Sequence, residues 1–422
     1  VIVPVKTGLH GGFRFEARAG GNGVLIWSAN GDPVLPAHRW VPSCKLALTA
    51  ANQLAVPGAG GKLPLHDNAD SASSALRTAV FYGAATCALA QATFDATLFI
   101  HTPITIDTQG SAFFGFIASG TNPAGLTSGL ARIGSDGIGS WVAAAVAAGD
   151  TGSEKVAMNS APALSPDGST LYIAVNTSAN SGAVQSGDLL ALDSVTLATR
   201  AKVPRLDPNG GTRATVSDDI TASPTIGPDG DVFFDVLDTR FGTHNARGWL
   251  LHFDATLAQS RVPGGFGWDD TALIVPASTV VPYTGALSYR LAVKHKNYDR
   301  IGSGQGENRV AVIDPNASQV DPISGLAIMG ELLSILGPTF EVGSSGPVKE
   351  WCINTMAVDP LTQSILVNSE DGVLYRWSLA SNSFTRRIRL TAGLGEAYTP
   401  TAIGADGAVD AVNNAVLFSV AK

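Results

Sequence analysis

Charge is what this chain of 422 residues has least of. Asp, Glu, Lys and Arg together supply 15% of it, against roughly 25% in an ordinary globular chain. Disordered segments and nucleic-acid-binding surfaces both need more, and a net charge of −8 disfavours a polyanionic partner further. No nucleic-acid partner is expected. Cysteine is scarce as well. Cys44, Cys87 and Cys352 allow at most one internal disulfide, with Cys44 and Cys87 the nearest pair and Cys352 able to replace either. The alternative for each is a small buried hydrophobe. No uninterrupted apolar run reaches the roughly 18 residues of a membrane-spanning helix. The longest small apolar tract, Trp141 to Gly149, reads as a buried strand or one helical turn. No signal peptide stands at Val1 and no initiator Met precedes it, so the chain reads as a processed or partial product. Catalytic signatures are missing too: there is no H-E-x-x-H, no G-x-S-x-G and no C-x-x-C-H. The GSGQG at 302–306 lacks both the Lys-Ser/Thr and the following helix of a phosphate-binding loop.

Turn residues are abundant, with 47 Gly and 23 Pro, and they come in order. SAPALSPDGSTLYIAV (160–175), ASPTIGPDGDVFFDVL (222–237), TPTAIGADGAVDAV (399–412) and TPITIDTQGSAFFGFI (102–117) repeat one phrase, with degenerate copies at 45–58 and 353–368. Each alternates apolar residues, turns at a Gly that tolerates positive φ, and alternates again, which is a hairpin with one buried face. A second phrase follows each of four copies: GDLLALDSVTLATRAKV (187–203), GWLLHFDATLAQSRV (248–262), GVLYRWSLASNSFTRRIRL (372–390) and GLARIGSDGIGSWV (129–142). Asp193 then falls at the turn between a third and a fourth strand. Two consecutive hairpins make the four-stranded blade of a propeller.

The length is large for one core, but stacked repeats escape that limit. The expectation is an all-β fold: a single β-propeller domain over 1–422, of about seven four-stranded blades. Blades begin near Lys45, Thr102, Ser160, Ala222, Ala272, Ile353 and Thr399. The central blades occupy 45–398, and the largest insertions lie within 272–352, where PNASQVDPISG (315–325) reads as a loop. The short C-terminal unit, 399–422, needs strands from elsewhere. The hairpin at 12–28 is expected to supply them, so that N- and C-terminal strands close the ring in one blade and leave no open edge. The alternative is two domains divided near 140–158, against which the repeats on both sides argue.

PALSPDGSTLYIAV followed by GDLLALDSVTLAT resembles the repeats of the quinoprotein-type (pyrroloquinoline-quinone-like) β-propeller superfamily. GWLLHFDATL, WCINTMAVDP, NSEDGVLYRWSL and EAYTPTAIGADG extend the resemblance over 12–422, nearest to secreted bacterial proteins of this class. It implies an exported chain, secreted or periplasmic. The superfamily's quinone dehydrogenases carry an adjacent Cys-Cys pair over the cofactor and a regular Trp docking motif. This sequence has no adjacent Cys, and its seven Trp keep no fixed offset, so pyrroloquinoline quinone is not an expected cofactor.

In a propeller the residues just before each innermost strand gather at one mouth of the channel. Here they are His38, Arg39, Trp40, His101, Asn159, Asp218, Asp219, Trp268, Asp269, Asp270, Glu350, Trp351, Glu396 and Tyr398. Six are carboxylates. Converging carboxylates either hold a cation, for which oxygen ligands suit Ca²⁺, or rise in pKa. Trp268, Trp351 and Tyr398 add flat surface for a sugar ring or a cationic ligand. The competing reading is that each Asp merely caps a loop. Asp67 and Asp70 give a weaker Ca²⁺ pattern. Lys294 to Tyr298 reads as an anion contact or as a Lys-blunted edge strand, and Arg386, Arg387 and Arg389 as a solvent-facing edge. The sequons at Asn176 and Asn316 matter only in a glycosylating source. Two functions compete. The first is a non-enzymatic exported propeller that binds a protein partner or self-assembles; the second is a polysaccharide lyase or hydrolase working at the acidic mouth.

Overall fold

The computed structural model describes the chain except for residues 9–10, 36–43, 72–75, 178–185, 217–221, 239–246, 259, 266–269, 282, 297–305, 352, 394–396, 398 and 422. It comprises two compact units, Val1–Pro204 with Val216–Pro224, and Arg205–Thr215 with Thr225–Lys422. The described strands form eight antiparallel sheets in chain order. The repeated phrases open with strands of seven of them: Ala47–Leu48, Thr105–Ile106, Ala163–Leu164, Thr225–Ile226, Leu273–Pro276, Ala357–Asp359 and Ala402–Ile403. Two of the seven begin earlier, with Leu98–Ile100 and Lys155–Val156, which pair with the same strands as Thr105–Ile106 and Ala163–Leu164. The extra sheet is N-terminal: Ile2–Lys6, Gly11–Arg18 and Leu25–Val34 pair with one another. The count of about seven is therefore corrected to eight. Among the described residues the last sheet is built from Ala402–Ile403, Val409–Asn413 and Val416–Val420. The N-terminal strands pair with one another, and such local pairing costs little loop entropy.

The hairpins follow from one chemical device. In SPDG, GPDG, GADG and GSDG the Asp side chain accepts the backbone N–H two residues on: Asp167 from Ser169, Asp229 from Asp231, Asp406 from Ala408 and Asp136 from Ile138. The Gly that follows has positive φ at each turn (Gly168, Gly230, Gly407, Gly137) and donates back to the first residue of the turn. This short-range side-chain bond competes with helix and fixes the turn. At the next turn Asp193 and Asp254 cap in the same way, accepting from the N–H and hydroxyl of Thr196 and Thr256. The following Leu197 and Leu257 take left-handed φ of 59° and 57°, a strained choice for leucine. Burial of both side chains offsets that cost.

Second and third strands are interior. Leu171, Ile173, Val175, Leu190 and Leu192 make one core cluster with Phe113 and Leu130. Phe81, Phe114 and Phe116 make another, and Trp351, Tyr375 and Trp377 a third. Among the described residues three short α-helices interrupt the strands: Ala84–Leu89, Gln91–Thr97 and Ala144–Ala148. The tract at 141–149 thus ends a strand, Gly139–Ala143, and then makes one helical turn closed by Gly149 at φ 58°. Residues 315–320, expected as loop, belong to the long strand Arg309–Val320, which pairs with Ala327–Leu336 through a bulge between Asp314 and Ser318.

Candidate functional site

Within each unit, segments before innermost strands bond to those of the neighbouring sheet. The Asn159 N–H donates to the His101 carbonyl, Thr271 N–H to Asn354 and Thr401 N–H to Thr355. Thr105 and Thr225 hydroxyls reach the carbonyls of Pro162 and Ala272 at 2.5 and 2.9 Å. Of the candidate ligands, Asp218, Asp219, Trp268, Asp269, Glu396 and Tyr398, with 38–40, lie outside the described residues. Asp270, Glu350 and Trp351 are described, and all three are interior.

Asp270 is fully buried, and its Oδ2 accepts the Lys294 N–H at 2.7 Å. Trp351 is core: its indole donates to the Asn308 carbonyl at 3.1 Å, and its ring meets Tyr375 edge-on at 5.8 Å. A tryptophan so placed offers no face to a sugar. Glu350 is buried, and its N–H donates to Glu370 Oε1 at 3.2 Å. Among the described residues no three His, Cys, Asp or Glu side chains converge as metal ligands. Asp67 and Asp70 spend their oxygens on Gln53, Arg77 and Asn52. The run at Lys294 is no edge: Tyr289–His295 is the buried second strand of its sheet, while Asn297 and Tyr298 lie outside the described residues. Asn176 is buried and Asn316 exposed.

Sequence reasoning missed the buried ion pairs of the second unit. Arg247 Nη2 lies 2.6 Å from Asp321 Oδ2, both side chains almost without solvent exposure, and its guanidinium stacks 4.3 Å over Trp249. Asp321 also caps the turn of the long hairpin through the Ser324 N–H and hydroxyl. Burial alone would raise its pKa, but the Ser324 bonds and Arg247 hold it below the usual carboxylate range. Asp231 lies 2.9 Å from His252 and 2.8 Å from Arg261. His295 lies 3.0 Å from Glu331, whose pKa falls to about 2, first through that histidine. The signal was present in the sequence as charges inside apolar runs, as in RGWLLHFD and YRLAVKH. The partners lie tens of residues away and could not be paired by spacing.

The first unit holds a different interior. His101 is fully buried, with Nε2 2.8 Å from the Val156 carbonyl. Burial, with Lys155 beside it, pushes its pKa down to about 3, so the ring is neutral. Cys44 and Cys87 are separate buried thiols, not a disulfide. Cys44 packs with Phe13 and Trp27, and Cys87 sits in a helix against the Tyr82 hydroxyl. Cys352 lies outside the described residues. Burial pushes the Cys44 thiol up to about 12, which makes it inert. A recess of about 810 Å³ is an open groove beside Phe81, Tyr82, Trp141 and Ile138. The Tyr82 hydroxyl there is already committed to the Gly60 carbonyl at 2.8 Å.

The last sheet supplies the outward-facing feature. Its third strand, Val416–Val420, pairs with Val409–Asn413 on one side and with no strand on the other among the described residues. Third strands in the six four- or five-stranded sheets are mostly buried; this one is exposed or half-exposed along its length. Next to it lies Ser383–Arg389, the outer strand of the preceding sheet, exposed as expected for Arg386, Arg387 and Arg389. Arg386 and Ile388 line a recess of about 60 Å³ with Val409, Val420 and Ala421.

No protein-family model matches the chain, and neither does any curated protein. Solved structures do. One is a europium-containing methanol dehydrogenase, similar over 97% of this chain and 81% of its own, at 9% identity and a TM-score of 0.53. The chain has the quinoprotein-like β-propeller fold. The computationally designed Ika8 protein is similar over 99% of this chain and 92% of its own, at 10% identity and a TM-score of 0.50. BamB from Moraxella catarrhalis aligns over 99% of both chains at 14% identity, with a TM-score of 0.46. At these identities the likeness is one of fold, and activity has to be argued from residues.

Proposed function

We propose that this propeller is an exported, non-catalytic binding protein whose partner is another protein. One observation carries the reading: an uncharged strand, Val416–Val420, is the last of its sheet among the described residues and is exposed or half-exposed along its length. Exposed strand edges invite pairing with another chain. The ionisable groups support the same reading, because those described at the expected mouth are turned inward. Asp270 and Glu350 are buried, and Asp270 Oδ2 accepts the Lys294 N–H, in the manner of a structural fastener rather than of a solvent-accessible acid or base. Export rests on the resemblance to secreted propellers. No described helix is long and apolar enough to cross a membrane.

In-cell photocross-linking tests this. A cross-linking amino acid is placed at Val416 on the last strand, at Ile138 on the wide groove, and at Leu361, 90% exposed on a tight turn. A protein adduct of one defined mass is expected from Val416 and none from Leu361. Adducts from no position, together with turnover of a polysaccharide that Asp270→Asn abolishes, would replace binding by the lyase or hydrolase reading.

A further inference from the structure

Most outer strands of this protein are blunted against chance pairing. Leu76–Val80 carries Arg77, Thr199–Pro204 carries Arg200 and Lys202, Ala327–Leu336 carries Glu331, and Ser383–Arg389 carries three arginines. Gly264–Gly265 is only two residues long. Charge, proline and shortness are the usual devices for this. Gly139–Ala143, the outer strand of the third sheet, reads GSWVA and has no charge and no proline. Its backbone is open as well. The Gly134 N–H donates to the Ile138 carbonyl and the Ala144 N–H to the Ser128 carbonyl. Between them Ser140 stands opposite Arg132 and Val142 opposite Leu130, and in such an antiparallel register inward bonds fall at every second residue. The N–H groups of Gly139, Trp141 and Ala143 and the carbonyls of Gly139 and Trp141 therefore point out of the sheet. Among the described residues nothing bonds to them. The Ala143 carbonyl opens the helix Ala144–Ala148. That helix turns away to the fourth sheet, where Thr199 and Lys202 donate to the Ala147 and Ala148 carbonyls.

The groove of about 810 Å³ runs the length of this edge. Ile138 lines it where the strand begins, Pro123 and Leu126 line it where the strand ends, and Tyr82 belongs to the facing side. Five residues of strand span about 17 Å, which is room for an extended segment rather than for a compact ligand. Trp141 stands half-buried in the groove, its ring edge-on to Phe116 at 6.0 Å. Ile138 is 68% exposed. No residue lining the groove carries a charge, in a chain of net charge −8. A charged segment laid there would lose hydration and gain no counter-charge. A second copy of the same strand cannot fill the groove, because the face with Gly139 and Trp141 is spent on its own core. Gly139 lies so close to Phe81 that a Cβ would sit 2.2 Å from the Phe81 carbonyl oxygen. We propose that Gly139–Ala143 is a docking edge, to which an extended, uncharged segment of a partner protein adds as a further strand. Alternate apolar side chains of that segment enter the groove beside Trp141 and Tyr82. This rests on the reading of the chain as a protein-binding propeller, at a different edge from Val416–Val420. Backbone pairing supplies affinity, and the uncharged groove supplies selection.

The probe is a synthetic peptide of about eight residues, the length of a strand with flanks, alternating Val with Thr. Its controls replace Val by Glu, replace Val by Lys, or place Pro at the centre. Titrated into the full chain, the Val–Thr peptide is expected to slow amide exchange at Gly139, Trp141 and Ala143, read residue by residue by NMR. Ser140 and Val142 should not change, because their N–H groups already bond inward. The uncharged peptide should bind at least about ten-fold tighter than either charged one, and the Pro peptide should give no protection. Ile138→Glu changes an exposed side chain, so the urea midpoint should stay where it is while the affinity for the uncharged peptide falls at least about five-fold. Equal binding of charged and uncharged peptides, protection outside 139–143, or unchanged affinity in Ile138→Glu overturns the proposal. So does protection of the three amides that grows with protein concentration when no peptide is present, because the edge would then pair with a second copy. A cross-link adduct at Val416 with no peptide protection at 139, 141 and 143 would leave the binding reading standing and remove this one.

Discussion

The seventh and eighth sheets belong to one unit and are built from the same phrase, yet they differ in what a third strand becomes. In the seventh, Val373–Ser378 has a partner on each edge. Trp377 is fully buried, and its indole donates to Asn382 at 3.0 Å. The Tyr375 hydroxyl donates to Asp371 at 2.6 Å. The turn leading into that strand is so close that a Cβ on Gly393 would sit 2.7 Å from the Asp371 carbonyl oxygen. In the eighth, Val416–Val420 carries a comparable apolar alternation and keeps most of it in reach of water. The alternation assigns a residue to a face. Whether that face is dry depends on a strand the alternation does not contain.

The largest expected effect breaks the seventh sheet. Trp377→Ala removes the ring that Ile365 and Tyr375 pack around and leaves Asn382 without its donor. The loss should be about 3–5 kcal/mol, read as a fall in the urea midpoint at unchanged slope. A loss under about 1 kcal/mol would mean that the seventh sheet is no better packed than the eighth.

The same contrast explains how much could be read beforehand. Seven starting points were legible because SPDG-type turns and apolar alternation are local, and the bonds from Asp136, Asp167, Asp229 and Asp406 that make them span two residues. The N-terminal sheet was not legible as a sheet of its own, because its strands lack the SPDG-type Asp-Gly turn that recurs in the repeated phrases. The stretch 315–320 was taken for loop because Pro315 and the bulge at Asp314 broke the alternation that the pairing with 327–330 restores. At the candidate mouth the orientation of the side chains was not legible. Nothing in the spacing of Asp270 or Trp351 tells that one meets the Lys294 N–H and the other the Asn308 carbonyl. Arg247 and Asp321 are 74 residues apart, beyond any motif.

A smaller effect sharpens the comparison through acid. Glu331, on the outer strand of the fifth repeat sheet, has a folded pKa of about 2 against an ordinary 4.5, chiefly because of His295. A depressed carboxylate stabilises the fold above its unfolded pKa, and that contribution is lost as pH falls from about 4.5 through about 2. Its carboxylate is partly exposed, so the loss should be about 1–2 kcal/mol. Glu331→Gln should flatten stability over that interval. If the variant keeps the full acid dependence, the His295–Glu331 pair contributes nothing there.

The smallest effect concerns the last strand of the eighth sheet. Phe418 lies mid-strand, opposite Ala411, and is only half-buried. Phe418→Ala should therefore cost under about 1 kcal/mol, well short of the about 3–5 kcal/mol of a buried aromatic, read as a small fall in the urea midpoint at unchanged slope. A cost as large as that of Trp377→Ala would mean that Val416–Val420 is packed as well as the third strand of the seventh sheet, and the contrast between the two sheets would disappear.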